Sequence, residues 1–283
     1  MAEKVTIVEM APRDGLQNEA AHVPTEKKIA LVDALSDCGF ERIEVTSFVS
    51  PKRVPQMADA REVMAGITRR PGTRYAVLTP NLRGFEAATE TGADEVAIFA
   101  SASEGFSKAN INATIAESLE RFQPVMLAAG TADIPVRGYV SCITDCPYDG
   151  PTAPGAVADL TEKLLRMGCF EVSLGDTIGA GTPETVEAML TAVLEVAAPE
   201  QLAGHFHDTR QRALDNVSVC LAHGLRVFDA AAGGLGGCPY APGAEGNVAT
   251  EAVVDMLEAQ GFETGLDRAR LAEAARFAKD LRP

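Results

Sequence analysis

The sequence predicts an α/β protein, a (β/α)8 barrel of the TIM type that closes with a C-terminal glycine-rich loop and additional helices. Three observations predict it. Eight short β-rich runs alternate with helical stretches along 283 residues; 46% of the residues are hydrophobic, enough for a large buried core; and ionisable residues gather at the C-terminal ends of the runs, where barrel enzymes carry their chemistry.

The strands are expected over 5–10, 42–48, 75–80, 95–101, 136–142, 170–176, 202–208 and 226–233, from their β-branched and aromatic content between turn residues. The stretch 25–39 reads as a helix ending on Gly39, a residue that accepts the left-handed turn after a helix. The stretch 182–198 reads as another, with Thr182 as N-cap, Pro183 in the first turn and Glu184 next. A doubly wound open sheet is the competing arrangement. It usually has fewer strands and a glycine-rich phosphate turn after the first, whereas here Arg13-Asp14-Gly15-Leu16-Gln17 follows. No proline- or serine-rich linker divides the chain, so residues 1–283 are expected to form one catalytic domain, with the terminal loop and helices starting near 238.

A formal net charge of −15 argues against a nucleic-acid partner, which requires a clustered basic surface, but leaves room for a locally cationic pocket. Six scattered cysteines suggest no disulfide framework, and the Cys142/Cys146 pair is a weak metal signal. The N-terminus runs directly into the first strand without a secretory pattern, and no apolar run approaches the roughly 18 residues of a membrane span. A reduced, cytoplasmic protein with no membrane attachment is therefore expected.

Candidate chemistry lies after the strands. Arg13 and Asp14 follow the first, Glu44 lies within the second, Asp176 ends the sixth, and His205 and His207 close the seventh. Residues two apart in a strand face the same side, so His205-Phe206-His207 aims two imidazoles at one place. The plain alternative is a polar strand end facing water. Asp14 and Asn247 converge on the same mouth if the barrel closes, because the first strand adjoins the eighth and the eighth the seventh. Two imidazoles with carboxylate and amide oxygens suit Mg²⁺ or Mn²⁺ and leave positions for substrate oxygens; zinc more often takes a closed four-coordinate set. The segment 231–247, with six glycines and two prolines around Cys238, is too long for a mere connector. It reads either as a closing loop that carries a thiol to the site or as a connection with an incidental cysteine.

The segments APRDGLQNE (11–19), ERIEVTSFVSPKRVPQMAD (41–59), VLTPNLRGFEAA (77–88), FSKANIN (106–112), RGYVSCITDCPYDG (137–150), SLGDTIGAGTP (173–183), HFHDT (205–209) and GGLGGCPYAPGAEGN (233–247) closely resemble the hydroxymethylglutaryl-CoA lyase family. The likeness runs from residue 5 to about 262. It implies a divalent-metal-dependent retro-Claisen cleavage of a 3-hydroxy-3-methylglutaryl thioester to acetoacetate and acetyl-CoA, as in leucine breakdown. A lyase of the same fold for an isohexenylglutaryl- or citramalyl-CoA is the alternative, then a condensing synthase, then a barrel that binds acyl-CoA without turnover. The resemblance makes Asp14, His205, His207 and Asn247 the metal ligands, Arg13 the enolate stabiliser and Cys238 the catalytic loop thiol. Glu44 and Asp176 match acidic residues needed for activity, and the family often forms homodimers. Asp176 and His205 are both candidates for the base that takes the substrate's hydroxyl proton. Lys108 and Asn110, read as lying before a helix, are candidate CoA contacts; Arg137 and Tyr139 share one strand face and either line the acyl pocket or pack in the core. Two departures stand out: Arg210-Gln211-Arg212 after HDT, and Ala109 where relatives often have a second lysine.

Overall fold

The computed structural model describes residues 2–19, 21–236 and 246–282. Eight parallel strands close into a barrel: β1 (Thr6–Glu9), β2 (Arg42–Ser47), β3 (Arg74–Leu78), β4 (Glu95–Ser101), β5 (Val136–Ser141), β6 (Glu171–Asp176), β7 (Leu202–Phe206) and β8 (Val227–Ala230). Each strand pairs with its neighbours in sequence, and β8 returns to β1 in the register Thr6↔Val227 to Glu9↔Ala230. The structure thus has the (β/α)8 form that the alternation of elements predicts.

Most expected strands are shorter by a residue or two, and the seventh and eighth are cut back for local reasons. β7 ends at Phe206, and His207 makes an isolated bridge to Asn247 instead. β8 ends at Ala230, because the chain turns through Ala232–Gly234, where Gly233 and Gly234 both take positive φ. The helix expected at 25–39 covers Thr25–Ser36, and the one expected at 182–198 covers Pro183–Val193, with the Thr182 hydroxyl accepting from Thr185 N at 3.3 Å. Within the connection after β5, Asp145–Cys146 pairs antiparallel with Gly150–Pro151, a small hairpin the sequence reading does not contain.

The apolar core fills the shell between strands and helices, with Leu31, Val63, Phe122, Leu164, Leu190 and Val253 fully buried there. Inside the barrel the filling differs. A small apolar group (Val8, Met10, Leu78, Ala97 and Tyr139) sits beside a column of buried charges. Arg42 on β2 donates to Glu95 on β4 at 2.6 Å and to Glu171 on β6 at 2.8 Å. Glu171 also accepts from Arg137 Nε on β5 at 2.7 Å. These strands are not all neighbours, so the pairs span the barrel interior. Buried ions persist only where opposite charges and donors surround them; here Glu95 and Glu171 each accept from an arginine, while Arg42 Nε, Arg137 Nη2 and Glu95 Oε2 have no hydrogen-bond partner.

Glu9, at the end of β1, ties three elements together. Its Oε1 accepts from Ala11 N (2.8 Å) and Ala232 N (2.9 Å), and its Oε2 accepts from the Thr250 hydroxyl (2.8 Å) at the start of a late helix. Burial nevertheless pushes its pKa up to about 7. The unfolded chain ionises this group at its ordinary value of 4.5. Between the two values the unfolded state holds fewer protons, so stability falls as pH rises, by about 3 kcal/mol once pH exceeds 7. Glu9→Gln keeps an acceptor for both N–H groups and is expected to lack this loss. Denaturant unfolding followed across that pH range reads it, and parallel wild-type and variant profiles would contradict it.

Candidate active site at the C-terminal mouth

Directly after β1 the chain forms one π-helical turn, Ala11–Gly15, with Pro12 at its start. The turn swings Arg13 and Asp14 over the barrel mouth. Arg13 is buried and uses its fork on two carboxylates: Nη1 donates to Asp14 Oδ1 at 2.6 Å and Nη2 to Glu44 Oε2 at 2.9 Å. The same Glu44 oxygen accepts from the Tyr139 hydroxyl at 2.8 Å, and the Arg13 guanidinium lies 5.6 Å from the Tyr139 ring centre. Burial raises the Tyr139 phenol well above its usual range, and the Glu44 carboxylate adds to that. Burial would likewise raise the Asp14 carboxyl, but Arg13 beside it and the two histidines hold it well below the usual carboxylate range.

His205 and His207 meet as the period-two argument requires, with ring centres 5.4 Å apart. Their Nε2 atoms lie 3.9 and 3.8 Å from Asp14 Oδ2. Asn247 joins them because residues 246–249 insert between the ends of β7 and β8: Asp208 N donates to Gly246 O, Val248 N to Phe206 O and Ala231 N to Val248 O. Its Nδ2 donates to Asp14 Oδ2 at 2.8 Å and to Leu235 O at 3.2 Å. Gly236 is required at this contact, since a Cβ there would lie 2.6 Å from that nitrogen, and its φ is +112°.

The donor set fits a divalent cation. Two donors share an ion only when closer than twice a metal–donor bond, about 4.2 Å for Mg²⁺, and both imidazole–carboxylate separations fall below that. Asp14, His205 and His207 are the one cluster of this kind among the described residues. Asn247 fits conditionally: its amide presents nitrogen to Asp14, so it must turn over to offer oxygen.

A cavity of about 480 Å³ opens above the cluster. Buried Arg13, Tyr139 and His205 and half-buried Asp14 and His207 line it, with Leu78, Phe99 and Phe106 part of its wall, and the exposed Arg53, Arg121, Asn18 and Asn110 also line it. The other candidates divide. Glu44 acts behind Arg13 and does not line the cavity. Asp176 is fully buried, accepts from Thr144 Oγ1 (3.2 Å), Ala180 N (3.2 Å) and Gly181 N (2.9 Å), and also has no face on the cavity. Burial raises its pKa. Lys108 and Asn110 lie inside the helix Glu104–Ile111 rather than before it; Asn110 reaches the cavity and Lys108 is exposed away from it. Cys238 lies outside the described residues. Cys142 and Cys146 are buried free thiols apart from the His/Asp cluster. Arg137, left open between pocket and core, belongs to the interior column, whereas Tyr139 lines the cavity.

Sequence reasoning passes over Asp229 on β8. It is buried, 3.1 Å from His205 Nδ1, and paired with Arg137 Nη1 at 2.8 Å. Burial alone would raise its carboxyl, but Arg137, with His205 and Ser173, brings it down to about 2. The available signal is charge inside strands that should be apolar: Arg42, Glu95, Arg137, Glu171 and Asp229 all interrupt hydrophobic runs.

A closed (β/α)8 barrel carries at its C-terminal mouth an Asp/His/His cluster that could hold a metal ion, beside a buried arginine, the layout of a barrel enzyme. The chain belongs to the HMGL-like family, whose model matches residues 4–278, and with it to the carbon–carbon lyases. It is 55% identical to a mitochondrial hydroxymethylglutaryl-CoA lyase of Gallus gallus, over 97% of this chain and 92% of that one. It is 54% identical to a 3-hydroxy-3-isohexenylglutaryl-CoA/hydroxymethylglutaryl-CoA lyase of Pseudomonas aeruginosa, over 97% and 91%. The crystal structure of an HMG-CoA lyase from Brucella melitensis superposes with a TM-score of 0.99 at 66% identity, covering 99% of each chain.

Proposed function

We propose that this protein is a hydroxymethylglutaryl-CoA lyase, a single catalytic domain that cleaves 3-hydroxy-3-methylglutaryl-CoA into acetyl-CoA and acetoacetate. The observation that carries the reading is the convergence on one cavity of the Asp14/His205/His207 cluster and Arg13, in a chain so similar to lyases of that name. Asp14, His205 and His207, joined by Asn247 once its amide turns over, hold Mg²⁺ or Mn²⁺, ions that suit oxygen donors with imidazole. A bound ion would supply positive charge beside the substrate's oxygens and make its hydroxyl more acidic.

The chain's own groups do the rest. When a water in the cavity takes the hydroxyl proton and the C2–C3 bond breaks, the bonding pair moves onto the thioester as an enolate. Arg13 lines the cavity with a permanent charge and stabilises the enolate oxygen. Glu44 and Tyr139 hold Arg13 in place, and Asp176 positions the turn through Ala180 and Gly181. Of the two bases read from the sequence only His205 reaches the cavity, and a ring that gives Nε2 to a cation cannot take a proton there; we assign His205 to the cation. Cys238 is the proposed acid that protonates the enolate carbon. Arg53, Arg121 and Asn110 suit the phosphates and amides of CoA, with Lys108 outside that set.

The test is metal-dependent product formation. Chelated protein is expected to release no acetyl-CoA from hydroxymethylglutaryl-CoA, and Mg²⁺ or Mn²⁺ is expected to restore release with one acetoacetate per turnover. Full activity in a sample shown by elemental analysis to be metal-free would overturn the cation assignment. The same assay with an isohexenylglutaryl thioester tests the second reading, which the apolar wall at Leu78, Phe99 and Phe106 and the Pseudomonas aeruginosa relative favour. Among the described residues five cysteines are free and buried, which supports work in a reducing compartment such as the cytoplasm. The proposed homodimer is checked by light scattering.

A further inference from the structure

The Asp229 carboxylate has four lone-pair directions and no hydrogen, so every polar neighbour must donate to it. Ser173 donates its hydroxyl hydrogen to Oδ2 at 2.8 Å, and Arg137 Nη1 faces Oδ1 at 2.8 Å. His205 Nδ1 stands 3.1 Å from Oδ2, so that nitrogen must carry the ring hydrogen. A neutral imidazole has one N–H, which leaves Nε2 with its lone pair, and Nε2 is the atom that faces Asp14. Solvated neutral histidine favours hydrogen on Nε2, the form that cannot bind an ion there. We infer that Asp229 is a positioning residue that locks His205 in the Nδ1–H tautomer and so presents the Nε2 lone pair to the cation. The inference rests on the cation reading above for what Nε2 binds, but not for the tautomer itself.

Arg137 gives the lock its direction. Its Nε donates to Glu171 and its Nη1 to the Tyr139 hydroxyl at 2.9 Å, so it is held from both sides and its charge stays beside Asp229 Oδ1, with which it forms an ion pair. In Asp229→Asn the amide must place its oxygen toward Arg137, because its NH₂ group would meet a donor there. The NH₂ group then lies at His205 and donates to Nδ1, which shifts the ring hydrogen to Nε2. A substitution of nearly equal shape thereby reverses the tautomer.

The experiment reads tautomer and metal separately. Long-range ¹H–¹⁵N correlation spectra of metal-free protein at mildly alkaline pH are expected to show His205 as Nδ1–H in the wild type and Nε2–H in Asp229→Asn. Calorimetric titration with Mn²⁺ is expected to give affinity lower by about 10- to 100-fold in the variant. Ser173→Ala, which removes one donor but keeps the carboxylate, is expected to retain the wild-type tautomer and Mn²⁺ affinity within a few-fold. The inference is overturned by an Nε2–H wild-type ring, by an unchanged tautomer in Asp229→Asn, or by an equal switch in Ser173→Ala. The wild-type spectrum decides even where the asparagine variant fails to fold. If neither protein binds Mn²⁺ while the tautomer switches, the cation centre falls and the lock stands.

Discussion

Replacement of Arg13 by lysine is expected to lower kcat by about 10²- to 10³-fold, the usual cost of losing one electrostatic donor to a developing oxyanion. Charge is conserved, so the loss must come from geometry. The guanidinium reaches Asp14 and Glu44 with two separate nitrogens while its plane lies near the Tyr139 ring. An ammonium is a single point on a flexible stem and cannot keep both carboxylates and also face the substrate. Burial works against the Arg13 charge, yet Glu44 and Asp14 hold its pKa above the ordinary arginine value, so the cation is fixed before substrate arrives. A group preorganised for charge that appears only during bond cleavage acts on kcat and leaves KM nearly unchanged. Acetyl-CoA release at varied substrate concentration separates the two constants. A lysine variant with wild-type kcat and raised KM would reassign Arg13 to ground-state binding.

The parts of this site that were legible in the sequence share one property: their geometry is set within a few residues. His205 and His207 meet because a strand repeats every two residues, and that holds for one residue past the end of β7. Thr182 caps its helix because the hydroxyl, proline and acidic residue all act within one turn. Arg13 and Asp14 reach the mouth because they directly follow β1. What was not legible depends on distance along the chain. Arg42 and Glu171 are 129 residues apart, and nothing local to either names the other. Asp229 looks like an ordinary strand-end carboxylate until β7 places His205 beside it. Lys108 and Asn110 are only two apart, but inside a helix that spacing sends side chains to different faces, which a loop reading of the segment would not reveal. The orientation of the Asn247 amide follows from the approach of Leu235 O and Asp14 together, a meeting of three separate segments.

The interior charge column carries the largest stability prediction. Arg137 is among the largest fully buried side chains of the protein and serves three partners: Glu171, Asp229 and the Tyr139 hydroxyl. Arg137→Met keeps length and apolar contact but removes the charge. Glu171 retains Arg42 and Asp229 retains Ser173 and His205, so neither carboxylate is stripped bare, yet both lose their shared cation in a buried interior. Breaking a buried ion pair from one side typically costs about 3–5 kcal/mol. For a domain of this size that lowers Tm by roughly 5–8 °C. A surface pair supplies the contrast. Lys163 and Asp159 are 2.6 Å apart on one helix, but both are largely exposed, and losing such a pair costs at most about 0.5 kcal/mol. Thermal and denaturant unfolding of Arg137→Met and Lys163→Ala therefore test whether burial, rather than ion-pair distance, sets the value of these contacts. Similar small losses in both variants would mean that the barrel interior is well enough hydrated to screen the column.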